Sequence, residues 1–335
     1  MIAKIWSGQN KLYWLLIPFS LLYGLIVLIR RKLYQLGIKK SQKLPVPVII
    51  VGNLSVGGNG KTPLVIYLVE QLRRKGLHVG VISRGYGGKS AHYPLIIDEN
   101  TTAKIAGDEP VLIYQRTQVP LAISPNRYQA AQALLQQCQL QQSKLDVIIS
   151  DDGLQHYALQ RDIEIVVIDA KRQFGNGWYL PAGPMRERPN RLKQVDYMII
   201  NGESNVDMNR WQTPLFTMKL EPSNIINLVT KEAKPLSELT HICAMAGIGD
   251  PERFFTMLQQ LGADLQHCAA FNDHQVYTKD QLQQILQPQQ NLLMTEKDAV
   301  KCMAFAEQNW WYLPIDAQLS PLFIDNLVNK INKLS

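Results

Sequence analysis

The residues best suited to chemistry in this 335-residue chain begin at GNLSVGGNGKTP (52–63). An apolar run, VPVIIVG (46–52), leads into it, and a helical pattern from Thr62 to Lys75 leads out. A glycine-rich turn between strand and helix that ends in Gly-Lys-Thr is the arrangement that cradles phosphate. The expected nucleotide-binding stretch is Ser55, Val56, Gly57, Gly58, Asn59, Gly60, Lys61 and Thr62. Gly57, Gly58 and Gly60 can take positive φ and turn backbone N–H groups inward around phosphate oxygens. Lys61 would reach the β- and γ-phosphates, and the Thr62 hydroxyl would bind Mg²⁺. The helix N-terminus adds a favourable dipole for the anion. Five residues before Gly60, where such loops usually carry a first glycine, this chain has Ser55.

A second acidic motif supports the first. The run LDVIIS (145–150) ends in Asp151, Asp152 and Gly153, where one carboxylate would hold Mg²⁺ or its water. An ordinary Asp-Asp-Gly turn has the same letters, and only the neighbouring phosphate loop favours the metal reading. Other polar residues carry little signal alone. Asp108 reads as a helix N-cap ahead of Pro110, and His274 as a loop histidine. Arg186, Arg188, Arg191 and Lys193 suit either a phosphate site or a solvated charged loop. TEKD (295–298) reads as a capped helix start with a structural role.

These residues need a scaffold. Further apolar runs at 78–83, 119–124, 145–150, 163–169 and 196–201 read as strands of a parallel sheet covered on both faces, with a helix over 126–137. Alternating runs at 214–220 and 224–230 suggest a hairpin linker, after which α/β character resumes. The fold class is therefore α/β: a doubly wound, mostly parallel sheet of the P-loop NTPase type, a smaller second α/β domain, and an N-terminal apolar helix. The expected divisions are 1–44, 45–212, 213–232 and 233–335.

The first segment stands apart. Between Lys11 and Arg30 lie 18 uncharged residues. As a helix they rise about 27 Å, close to a hydrocarbon core of about 30 Å. Trp6, Tyr13 and Trp14 fit an interfacial belt, and the basic residues Arg30, Arg31, Lys32, Lys39, Lys40 and Lys43 place the far side in the cytoplasm. No small-residue cleavage site follows, so a signal peptide is not expected. A buried core helix is the alternative. The net charge of +7 suits anionic lipid, phosphorylated substrates or nucleic acid, but no RNP-like pattern, zinc finger or basic-region heptad supports nucleic acid. The four cysteines form no C-x-x-C pair, which argues against a metal cluster or disulfide framework.

Taken together, the motifs resemble the tetraacyldisaccharide 4′-kinases of Gram-negative bacteria. The matching segments are VGNLSVGGNGKTP (51–63), SRGYGG (83–88), GDEP (107–110), SDDGLQH (150–156), GPMRERP (183–189), FNDHQVY (271–277) and MTEKDAVK (294–301). They run in family order over nearly the whole chain. The resemblance implies ATP and Mg²⁺, and transfer of the γ-phosphoryl to the 4′-hydroxyl of a lipid A disaccharide 1-phosphate. It implies the cytoplasmic face of the inner membrane, with membrane lipid as a further contact and no obligate protein partner. It also implies that Lys61 and Thr62 contact phosphate and metal, that Asp151 and Asp152 are the metal acids, and that Asp108 is a general base paired with His274. Arg84, Tyr86, Glu109, Arg127, His156, Arg186 and Glu187 fall on polar positions of the active-site cleft. Where the family usually has a second histidine after His274, this chain has Gln275.

Two rivals predict differently. A soluble P-loop ligase acting on a small carboxylate metabolite would have no use for the apolar N-terminus. A membrane-tethered nucleotide switch or metallochaperone would want Asn-Lys-x-Asp or a Cys/His cluster, and neither occurs.

Overall fold

The computed structural model describes residues 2–203 and 211–334, so 204–210, inside the expected 45–212 division, lie outside the described residues. The chain opens with helices α1 (Ile2–Trp6) and α2 (Tyr13–Gln35). Then come β1 (Val48–Gly52), α3 (Lys61–Arg74), β2 (Val79–Ser83), β3 (Leu95–Ile96), α4 (Ala103–Ala106) and α5 (Asp108–Thr117). After these lie β4 (Leu121–Ile123), α6 (Arg127–Leu140), β5 (Val147–Asp151), β6 (Ile163–Asp169), β7 (Tyr197–Asn201) and β8 (Leu215–Pro222). The rest comprises β9 (Ile225–Asn227), β10 (Ala233–Lys234), β11 (Ile242–Ala246), α7 (Pro251–Gln260), β12 (Leu265–Ala270) and α8 (Lys279–Gln284). It ends with β13 (Asn291–Thr295), α9 (Glu296–Cys302), β14 (Trp310–Leu313), β15 (Ile315–Gln318) and α10 (Pro321–Asn332).

Nine strands form the larger sheet, in the order β15-β8-β7-β6-β1-β5-β2-β4-β3. Its interior pairings are parallel, and only the two edges, β3 and β15, run antiparallel. Every residue of β1, β5, β6 and β7 is buried, as continuous apolar runs require when helices cover both faces. The strand order reverses around β1, and ligands of such sheets sit outside the carboxyl ends of the strands at that reversal. The second sheet, β10-β9-β14-β13-β11-β12, has a parallel centre.

Two expectations change. The runs at 214–220 and 224–230 do not pair as a hairpin: β8 joins β7 in the first sheet, and β9 pairs with β14 in the second. Their alternation marked them as strands, but each pairs with a strand of a different sheet. The chain also returns to the first sheet at its end. β15 pairs with β8, and α10 buries Phe323, Ile324, Leu327 and Ile331 in the core beside α3. The rings of Tyr197, Phe216 and Phe323 meet there.

Helix α2 touches the body along one narrow stripe. Ser20 Oγ donates to the Tyr179 carbonyl at 2.7 Å, and Gly24, one turn on, lies against the Tyr179 ring. Nearer the chain start, Trp6 Nε1 donates to the Pro181 carbonyl. Leu15, Phe19, Leu22 and Ile26 form an outward stripe, exposed to solvent. At 23 residues the helix is long and apolar enough to cross a membrane.

Candidate active site

The phosphate loop leaves β1 at the strand reversal and ends in the first turn of α3. Gly57 and Gly60 take φ of 104° and 90°, which disfavours any residue with a Cβ. Gly58, expected to share that geometry, does not. Ser55, at the position usually held by glycine, is buried and accepts from Asn59 Nδ2 at 3.3 Å. Asn201, at the end of β7, donates to the Asn59 carbonyl at 3.1 Å, and the Val56 N–H donates to the Pro184 carbonyl at 2.9 Å. Arg172 also reaches the loop, bonding Asn59 Oδ1 at 2.9 Å and the Gly58 carbonyl. The loop is thus held open by its neighbours, with Lys61 at its end.

Asp151 and Asp152 stand beside it at the end of β5. Lys61 Nζ lies 3.6 Å from Asp152, and Arg186 Nη1 donates to both Asp152 oxygens at 3.0 Å. Despite its burial, Asp152 is held below the ordinary carboxylate value by Lys61 and Arg186. Asp151 moves the other way: burial, then the charges of Glu109 and Asp152, push its carboxyl up. Its Oδ2 accepts from Ser83 Oγ at 3.3 Å, while Oδ1 is buried with no hydrogen-bond partner. An orphaned buried carboxylate oxygen facing two further acids calls for a cation. With the Thr62 hydroxyl the donors are all hard oxygens, which fits Mg²⁺. Among the described residues no cluster of three or more His, Cys, Asp or Glu ligands gathers. Mg²⁺ takes one or two carboxylates and leaves its other positions to water and phosphate.

Across the cleft, Asp108 and His274 meet although 166 residues separate them. Asp108 is not a helix cap: Gly107 caps α5, and Asp108 is its first residue. Gly107 is required by close approach, since a Cβ there would sit 2.4 Å from the Tyr86 carbonyl oxygen. His274 Nδ1 donates to Asp108 Oδ2 at 3.0 Å, and the Glu109 N–H donates to Oδ1 at 3.0 Å. The His274 backbone is left-handed at φ 60°, and Asp152 likewise at 47°. Histidine and aspartate visit that region more readily than most residues, and such strain clusters at functional sites. The Tyr86 ring stands edge-on to His274 at 5.3 Å, and Gln275 accepts from the Asn272 N–H, closing the loop.

Burial opposes ionisation of Asp108, but the His274 hydrogen bond and Lys297 outweigh it and hold the carboxyl below its ordinary value of 3.8. The same hydrogen bond raises His274 above 6.5. A depressed acid contributes stability above its unfolded value and loses it as pH falls through the folded one. A raised histidine contributes fully below its unfolded value and loses it as pH rises through the folded one. The pair therefore contributes in full between 3.8 and 6.5. Melting temperatures of wild type and His274→Ala should differ most in that window and draw closer as pH rises through the raised His274 value.

The remaining expected residues divide. Arg127 is buried and donates to the Asp151 and Asp152 carbonyls at 3.4 and 3.3 Å, supporting the acidic turn from behind. Arg84 and Tyr86 are exposed at the cleft edge, Tyr86 by 64%. Glu187 is buried and already engaged by Gln155 at 3.0 Å and Tyr157 at 2.6 Å, which makes it a brace under the loop. His156 is depressed to about 4, by burial first and then by Arg127 and Arg161, so it stays neutral at physiological pH.

One residue at this cluster was missed. Lys297 of TEKD lies 3.7 Å from Asp108 and 3.3 Å from both Glu109 and Asp273. Its neighbours in the motif are structural, as expected. Thr295 caps α9 and accepts from the Asp298 N–H, while Glu296 takes two hydrogen bonds at 3.0 Å from Arg116 of α5. Asp298 is fully buried on Gly247 N, Tyr277 and Thr295.

A family model described as Tetraacyldisaccharide-1-P 4′-kinase matches residues 12–332. LpxK from Aquifex aeolicus, solved as an "apo" form in complex with ATP, is 32% identical over 96% of this chain and 99% of that chain, with a TM-score of 0.79. FtsY from Elizabethkingia anophelis with GDP (17% identity, 53% of this chain, 58% of that chain, TM-score 0.34) also matches. So does chloroplast FtsY from Physcomitrella patens (13%, 56% and 65%, TM-score 0.33). Similarity that slight carries no argument. With nearly its full length matched by the family model and by a solved member, this chain belongs to the tetraacyldisaccharide-1-P 4′-kinase family and is a lipid A 4′-kinase.

Proposed function

We propose that this kinase transfers the γ-phosphoryl of ATP to the 4′-hydroxyl of the lipid A disaccharide 1-phosphate by the following division of roles. The observation that carries it is the convergence of two clusters on one cleft: Lys61 with Asp151 and Asp152, and Asp108 with His274. Glu109 links them, because it adjoins Asp108 in sequence and its charge acts on Asp151.

Backbone N–H groups of residues 55–62 cradle the phosphates, and Lys61 leaves Asp152 to neutralise charge on the transferring group. Thr62, Asp151 and Asp152 would hold Mg²⁺, which supplies further charge neutralisation when bound. Asp108 accepts the proton of the 4′-hydroxyl as its oxygen bonds to phosphorus and the β–γ bridge bond breaks, releasing ADP. His274 orients the Asp108 carboxylate and can take the proton onward. Arg186, freed from Asp152, and Arg84 would be available to a phosphate of the substrate. The test is direct: purified protein, radiolabelled ATP and lipid A disaccharide 1-phosphate in mixed micelles. Absence of label in the lipid would refute the assignment.

The lipid substrate places the work at a membrane, and α2 suits that setting. We assign its outward stripe to the bilayer interface and the basic stretch from Arg30 to Lys43 to the cytoplasmic face of the inner membrane. Ser20 and Gly24 tie the helix alongside the body, so it is expected to lie embedded against the protein. Leu22→Lys with Ile26→Lys should move the protein from the membrane fraction towards the soluble one while leaving that docking stripe intact. Recovery of the unaltered chain as soluble protein without detergent would overturn the anchor.

A further inference from the structure

Lys297 is a cation set among three carboxylates contributed by two separate stretches of chain. Asp108 and Glu109 open α5 beside the first sheet, and Asp273 belongs to the loop after β12 of the second. Lys297 itself sits in the first turn of α9, which packs against α5. Its side chain is only 19% exposed, and its Nζ lies within 3.7 Å of one oxygen of each acid. Burial disfavours its charge, yet Glu109, Asp108 and Asp273 raise its pKa well above the ordinary lysine value, so the ammonium stays charged at working pH. The helix presenting it is itself pinned, by the Glu296–Arg116 pair on one side and by buried Asp298 on the other.

We propose that Lys297 is a positioning residue for the phosphoryl transfer: its ammonium draws Asp108, Glu109 and Asp273 into register across the cleft and holds the Asp108 carboxylate aligned with His274. The inference rests on the reading of Asp108 as the base. Its physical ground is simple. Adjacent Asp108 and Glu109 repel each other, and Asp273, 3.8 Å from His274 Nε2, brings a third negative charge to the cluster. A single cation within 3.7 Å of all three offsets that repulsion and holds the Asp108 carboxylate where His274 Nδ1 meets it. Misplacement of a reacting group by about 1 Å can cost on the order of 10²-fold in rate.

The groups facing Asp108 are His274, Lys297, Lys301 and Glu109, and Lys301 is already paired with Asp298 at 2.8 Å. Lys301 therefore makes a poor substitute for Lys297. Full-length Lys297→Met, Lys297→Arg and Asp108→Asn should be assayed in mixed micelles across pH, with melting temperatures recorded. Lys297→Met should lower kcat roughly 10- to 100-fold with KM for ATP little changed. The acid limb of its kcat profile should move to higher pH, because the carboxylate loses a facing cation. Lys297→Arg should restore most of kcat and return the acid limb, since it keeps the charge. A well-folded Lys297→Met with wild-type kcat and acid limb overturns the proposal. So does a loss shared equally by Met and Arg, accompanied by a lower melting temperature and an unmoved acid limb, which marks a merely structural lysine. Asp108→Asn reports separately: near-wild-type kcat in that variant condemns the base reading itself, whatever Lys297 does.

Discussion

Lys61→Ala should abolish measurable turnover while leaving the chain folded. Loss of one preorganised charge-stabilising group typically costs about 10²–10³ in kcat. Lys61 should cost at least that, because it meets the phosphates and also counters Asp152 in the resting site. The fold should survive for a specific reason. Asp152 keeps its two hydrogen bonds from Arg186 at 3.0 Å, so removing Lys61 does not strand a carboxylate. A circular dichroism spectrum and melting curve close to wild type, with no lipid phosphorylation, is the expected pair of results. Activity near wild type would remove the phosphate-loop assignment.

Asp108→Ala should reduce kcat by roughly 10²–10⁴ with little change in KM for ATP, since loss of a general base acts mainly on the chemical step. His274→Ala should also lower kcat, and the double variant should be no worse than the poorer single one. That non-additivity is expected of two groups acting as a unit. Asn at position 108 keeps hydrogen-bonding shape but not basicity, and should be nearly as slow as Ala. Asp108 is only 5% exposed, so the stability control matters. Its removal leaves Lys297 paired with Glu109 and Asp273, which limits the damage to folding. A structural Asp108 would instead lower the melting temperature and leave kcat intact in the folded fraction. Independent, additive losses from the two single variants would argue against a dyad.

How much of this was legible in the sequence depends on the distance between cause and effect. The phosphate loop is a local device: strand, glycines, lysine and helix are consecutive, so the letters carry the geometry. Buried parallel strands are legible for the same reason, because burial on both faces leaves an unbroken apolar run such as VIIVG or IEIVVID. β12 escaped notice because it is an edge strand, with no residue fully buried and hence no apolar pattern. The alternation at 214–230 announced two strands without saying what they pair with. Partner choice depended on β7 and β14 and on competition between two sheets.

The site shows the same division. Lys61 and the Asp151–Asp152 turn could be assigned chemistry from sequence spacing, and α2 was marked for the membrane by its length and lack of charge. Asp108 and His274 had no local signal at all, and only a family resemblance singled them out. Lys297 had less: its motif reads as a helix start, and three of its four residues are that. The amino-acid sequence alone thus determined the chemistry of contiguous segments, because their geometry follows from neighbours a few residues away. The tertiary structure alone decided which lone charges meet, because bringing Asp108 and Asp273 within 4 Å of Lys297 takes two sheets, a helix contact and a left-handed histidine that no local propensity encodes.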